Sequence, residues 1–181
     1  MATTNGLRVF LYVVLWLFAA VLLGLTAQRL HYTTHIPLGD PLHDGVPFYD
    51  PIIAELLASS VLTVLWVPFV YVVHVLHRDD DYGFVGTFAG EILGLFTLFI
   101  LWLVGAAIAT TFWGDLSWCH QFLPCRILTV IVAFAWMGWI ILLTLLIISL
   151  LFAFMNNSFG RPLHGRYDPR GRRSWMRKCW A

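Results

Sequence analysis

Charge is what this chain has least of. Asp, Glu, Lys and Arg make up 12% of its 181 residues, while 60% are hydrophobic. Average soluble domains are about 25% charged and about 45–50% apolar, so an ordinary cytosolic domain and a disordered tail protein are both excluded. A formal net charge of +1 with a mean hydropathy of +0.79 also excludes a nucleic-acid binder. The three cysteines, Cys119, Cys125 and Cys179, never form a Cys-x-x-Cys unit, which removes the usual basis for a redox-active dithiol. No charge falls near the middle of any long apolar run, which weighs against a proton or ion pathway through a membrane. Haem held between helices needs facing histidines, and His74 is the one histidine inside such a run.

Long apolar runs are what the chain does have. A bilayer core of roughly 30 Å needs about 20 apolar residues in a helix rising about 1.5 Å per residue. Four runs reach that length, at about residues 9–28, 52–76, 90–113 and 127–155. The fold class that follows is all-α, an integral-membrane four-helix bundle. Residues 1–8 form a short N-terminal segment and 156–181 a tail. The fourth run exceeds a perpendicular span, so it should tilt or extend past the lipid. The first is too long for a signal-peptide core of about 7–15 residues, and Leu25-Thr26-Ala27 is a poor cleavage site, so it reads as a retained helix.

An even number of spans puts both termini on one side. That side, with the loop after the second span, carries nine basic residues, against Arg29 and Arg126 on the other. This bias predicts cytoplasmic termini. Asn156-Asn157-Ser158 matches a glycosylation sequon but falls on the cytoplasmic side in this orientation, so it reads as a chance match.

The first outer loop, residues 31–51, holds His31, His35 and His43 beside Asp40, Asp44 and Asp50. Imidazole and carboxylate together suit zinc or copper. The spacing is irregular and the loop holds four prolines, so it reads as solvated chain without a metal site. The second outer loop carries Cys119 and Cys125, a candidate disulfide on the oxidising face. Closing so small a loop is worth about 2–3 kcal/mol. His77 to Gly83, with three adjacent aspartates, reads as a polar cytoplasmic turn. The tail, with Arg170, Arg172, Arg173, Arg177 and Lys178 as its candidate contacts, is suited to anionic inner-leaflet lipid at about 1 kcal/mol per basic residue.

Ionisable groups inside the runs are few. Glu55 opens the second run, within reach of outer headgroups, Arg29 or Arg126. Glu91 opens the third on the inner side, and His74 lies at similar depth, which makes His74 and Glu91 a candidate intramembrane pair; the alternative is that each side chain snorkels to its nearest interface. Small-xxx-small pairs occur in every run: Ala20/Gly24, Ala54/Ala58, Gly90/Gly94, Gly105/Ala109 and Ser149/Ala153. They favour a compact bundle. Pro68 removes a hydrogen bond to the Val64 carbonyl and should kink its helix.

Taken together, four spans, an acid opening the third (Glu91) and an outer cysteine pair before the fourth (Cys119, Cys125) resemble the MARVEL-domain family, especially its small fungal members. Leu101-Trp102-Leu103-Val104-Gly105-Ala106-Ala107 is similar to that family's third span, and Phe134-Ala135-Trp136-Met137-Gly138-Trp139 to its fourth. The resemblance covers roughly residues 7–155. It implies a multi-pass protein of membrane microdomains, vesicle traffic or membrane apposition, at the plasma membrane or on endomembrane vesicles. It brings no catalytic residues. The expectation is a non-enzymatic membrane organiser without cofactor or metal, whose partners are the lipid bilayer and copies of itself or other membrane proteins, and not nucleic acid. The alternative is a small transporter or channel subunit. A membrane enzyme comes third, with the outer-loop histidines and aspartates as its sole clustered groups.

Overall fold

The computed structural model describes residues 2–35, 48–76, 88–113 and 123–156. Nearly all of these lie in four helices: α1 (Ala2–Thr34), α2 (Pro51–Leu76), α3 (Phe88–Trp113) and α4 (Leu123–Asn156). Each is long and apolar enough to cross a membrane. Each contains one of the four apolar runs, and α1 and α4 overshoot theirs. The stretch before residue 9, read from the sequence as a short terminal segment, is the opening of α1.

Local chemistry sets the start of α2. Pro51 takes the first helical position, where its missing N–H is no loss. The Asp50 carboxylate accepts the Ile52 N–H at 3.2 Å, satisfying one of the unpaired donors of the first turn.

Successive helices run antiparallel. Trp16 of α1 meets Val64 of α2, and near the other end of the pair Phe48, just before α2, bonds Thr33. Phe18 packs edge-on against Phe134 of α4. The strongest contacts are α3 with α4 and α1 with α2, closed by α1 with α4 and α2 with α3. The helices thus form a ring, with α1 diagonal to α3.

Burial follows a 3-4-3-4 spacing on every helix. On α4 it falls on residues 128, 131, 135, 138, 142, 145 and 149, and on α3 on 91, 95, 98, 102, 105 and 109. This average of 3.5 residues is the seam of left-handed helix packing. Large apolar side chains fill much of the seam, among them Leu15, Leu22, Ile53, Leu56, Leu95, Ile131, Leu142 and Leu145, and small or polar ones are interleaved with them: Thr26, Ser59, Ser60, Thr63, Ala106, Ala109, Ala135, Ser149 and Ala153 are all buried. Other large apolar side chains point outward, as with Phe112 at 69% exposed and Phe154 at 66%. The buried hydroxyls of Thr26, Ser59 and Thr63 donate to carbonyls of their own helix, which satisfies them without water.

Two glycines admit indole rings. Trp102, fully buried, lies where a Cβ on Gly138 would stand, and its Nε1 donates to Thr63 Oγ1 at 2.9 Å. One side chain thereby ties α2, α3 and α4 together. The ring of Trp66 occupies the corresponding space beside Gly94. Of the small-residue pairs in the sequence, those on α3 and α4 face the interior, with Ala109, Ser149 and Ala153 buried. Gly24 instead faces open space and Ala58 is exposed.

Candidate functional site

The polar centre of the bundle lies at the end where α1 and α3 begin. Arg8 from the second turn of α1 reaches across the diagonal to Glu91 in the first turn of α3. Its Nη2 donates to Glu91 Oε1 at 2.5 Å and to Oε2 at 2.7 Å. One turn along α1, the Tyr12 hydroxyl donates to Glu91 Oε1 at 2.5 Å. Arg8 is 8% exposed and Glu91 1%. These are charge-assisted bonds, shorter and about twice as strong as neutral ones. The i and i+4 spacing of Arg8 and Tyr12 stacks both donors on one helix face.

This centre forms one end of a cleft of about 360 Å³ between α1 and α2. From α1 come Val9, Val13 and Trp16; from α2 come Val67, Pro68, Val70 and Tyr71. Pro68 lacks the N–H that would bond the Val64 carbonyl, and the Trp16 indole N–H donates to that carbonyl at 3.3 Å. A backbone acceptor left open by one helix is thus met by the neighbouring helix.

Arg8 entered the sequence reading only as a topology charge. Glu91 is held by Arg8 and Tyr12; the side chain of His74, its candidate partner, lies outside the described residues. A signal for Arg8 existed. It is the basic residue nearest the start of the first run, on the same side of the predicted membrane as Glu91, and of opposite charge.

Glu55 differs from its expectation. Instead of reaching headgroups or an arginine, both its carboxylate oxygens are buried, with no hydrogen-bond partner among the described residues. They sit against α3 where Gly105 has no side chain, with Oε2 in the space a Cβ would take. Glu55 projects from the first turns of α2 toward α3, so geometry carries the carboxylate inward. The cleft that touches Glu91 does not reach Glu55.

Cys125 opens α4, and Cys119 lies outside the described residues. So do Arg170, Arg172, Arg173, Arg177 and Lys178 of the tail, and Asp40, His43 and Asp44 of the first outer loop. His31 and His35 stack with ring centroids 4.7 Å apart. Among the described residues no three His, Cys, Asp or Glu side chains gather as a metal site would require.

Comparison of the chain with protein-family models, with curated proteins and with solved structures finds no match.

Proposed function

We propose that this chain is a non-enzymatic multi-pass membrane protein that organises membrane domains, in vesicle traffic or membrane apposition, in the manner of the MARVEL-domain proteins it resembles. The observation that carries the reading is the apolar outer surface of the bundle. Large side chains such as Phe10, Leu65, Phe112 and Phe154 stand 62%, 63%, 69% and 66% exposed on it, while Arg8 and Glu91 are bonded to each other inside. That arrangement suits a solvent of hydrocarbon, where backbone approach and internal polar bonds hold helices together. The Arg8–Glu91 pair neutralises its own charge, which makes it a structural joint.

In this reading both termini are cytoplasmic, on the strength of the nine-to-two distribution of basic residues. The second outer loop faces the oxidising side, where Cys119 and Cys125 pair. The basic tail contacts anionic inner-leaflet lipid, and the apolar outer surface meets copies of the chain or other membrane proteins. The test is imaging of a tagged full-length protein. Colocalisation with plasma-membrane domains or vesicles, lost when residues 159–181 are deleted, supports the reading. Uniform endoplasmic-reticulum retention of the folded protein overturns it. A small transporter is the competing class. Reconstituted flux of a solute by the purified full-length protein would put it first.

A further inference from the structure

In the sequence His31 and His35 belong to the first outer loop, with no fixed spacing between them. In the structure α1 runs on through Thr34 and gives them one. Residues four apart on a helix lie one above the other on the same face, and both histidines are exposed. Their rings lie face to face, with centroids 4.7 Å apart and planes 15° from parallel. Two imidazole nitrogens that share one metal ion, each at about 2.0–2.1 Å, stand roughly 3 Å apart. Rings stacked as these are reach that spacing by rotating about their side-chain bonds, and an exposed pair has the room to do so.

Hydrogen bonds preset one of the nitrogens. His35 Nδ1 lies 3.3 Å from the His31 carbonyl oxygen and 3.0 Å from Thr34 Oγ1. A carbonyl oxygen only accepts. The Thr34 hydroxyl has one proton, and the Leu30 and His31 carbonyls at 2.8 and 3.1 Å compete for it, so toward His35 it too presents a lone pair. Nδ1 therefore carries the ring hydrogen, and Nε2 of neutral His35 keeps its lone pair. An Nδ1–H given to a backbone carbonyl is the bond that orients a metal-binding imidazole. The setting also favours a cation, because the last turn of a helix is the negative end of its dipole. Arg29, two residues before His31, is 8% exposed and projects from the opposite face of the helix. We propose that His31 and His35 form a surface site for one divalent transition-metal ion that prefers imidazole, Cu(II) above Zn(II), held by His35 Nε2 and a ring nitrogen of His31. Two protein ligands leave the other positions to water, so the ion stays exchangeable and the fold does not depend on it. The proposal is independent of the organising role.

The experiment is Cu(II) titration of the full chain in phosphatidylcholine nanodiscs, carrying no polyhistidine tag and with thiols alkylated, followed by calorimetry and electron paramagnetic resonance. Empty nanodiscs supply the blank. The expected result is one Cu(II) per chain, with the nitrogen hyperfine pattern of two imidazoles. His31→Ala and His35→Ala each leave one imidazole and should weaken binding by about ten-fold or more, at least what loss of an outer-shell partner costs. Both rings are exposed, so the circular dichroism of either variant stays that of the parent. His43→Ala, His120→Ala and His164→Ala leave the affinity unchanged, and Zn(II) binds more weakly at the same two residues. Binding that neither His31→Ala nor His35→Ala moves overturns the proposal, as does a single-nitrogen spectrum from the parent. So does an equal loss in His43→Ala or His120→Ala, Zn(II) held more tightly than Cu(II), or no binding beyond that of the blank.

Discussion

Glu91→Gln should be the most damaging conservative change in the bundle. The carboxylate takes two bonds from Arg8 Nη2, at 2.5 and 2.7 Å, and one from Tyr12 at 2.5 Å. A glutamine keeps the shape but not the charge, and it turns an N–H₂ toward a guanidinium that has only donors. Arg8, 8% exposed, is then a buried cation without its counter-charge. Removing one member of a buried ion pair costs about 3–5 kcal/mol, a large part of the roughly 5–15 kcal/mol that holds a domain folded. Arg8→Met alone strands the carboxylate and should cost a similar amount. The double variant Arg8→Met, Glu91→Gln strands no charge, and its methionine refills the space of the arginine stem. Replacing a whole buried pair by apolar groups is often neutral, so the double variant should lie within about 2 kcal/mol of the parent. The singles and the double thus form a cycle whose coupling is several kcal/mol. Equilibrium unfolding in mixed micelles, followed by helix content and by tryptophan fluorescence, measures all four proteins. Singles within about 0.5 kcal/mol of the parent, with an additive double, would refute the buried-pair argument.

Three further outcomes are expected. Gly138→Ala places a Cβ inside the ring of the fully buried Trp102, and such overpacking costs about 1–3 kcal/mol; unfolding should show that loss, and relief when Trp102→Leu is added. Trp16→Phe leaves the Val64 carbonyl, already without its Pro68 partner, with no indole donor; an unmet backbone acceptor costs about 1–3 kcal/mol, read as a lower midpoint of unfolding and faster exchange of the α2 amides around Pro68. Glu55→Gln replaces a buried carboxylate whose oxygens have no hydrogen-bond partner among the described residues; the change should raise stability by about 1 kcal/mol or more at neutral pH, and a loss of stability would show that Glu55 has a partner.

Much of this architecture could be read from the residues, and the part that could not has a common cause. Helix number and approximate extent follow from apolar length alone, which is why the four runs reappear as α1 to α4. Which face of each helix turns inward does not follow from hydrophobicity, because the outward faces are as apolar as the seam. The legible signal is the residue class that the apolar background lacks. Serine, threonine, glycine and alanine recur at seam spacing, as in Ser59 and Thr63 on α2 or Ala135 and Gly138 on α4. Small-xxx-small spacing by itself is a poorer guide, since Gly24 faces open space. The open carbonyl at Val64 follows from Pro68, but its donor Trp16 lies 48 residues away, and no local pattern names it. Arg8 and Glu91, 83 residues apart, become partners only once α1 is known to stand diagonal to α3.

That diagonal placement also explains why the polar residues sit where they do. Neighbouring helices in the ring pack directly against one another, and small side chains suffice to bring their backbones close. Helices on a diagonal stand farther apart, so a direct bond between them needs two long side chains. Arginine and glutamate have that reach, and the α1–α3 bond uses both. Apolar faces in hydrocarbon discriminate poorly between alternative neighbours, because one leucine surface resembles another. Single polar contacts discriminate well, since a misplaced donor or charge has no water to turn to. Trp16 to Val64 joins α1 with α2, Trp102 to Thr63 joins α2 with α3, Trp136 to Thr110 joins α3 with α4, and Arg8 to Glu91 spans the diagonal. Any other order of the four helices breaks at least one of these bonds, so a handful of polar atoms selects one ring order from an otherwise permissive set of apolar rods.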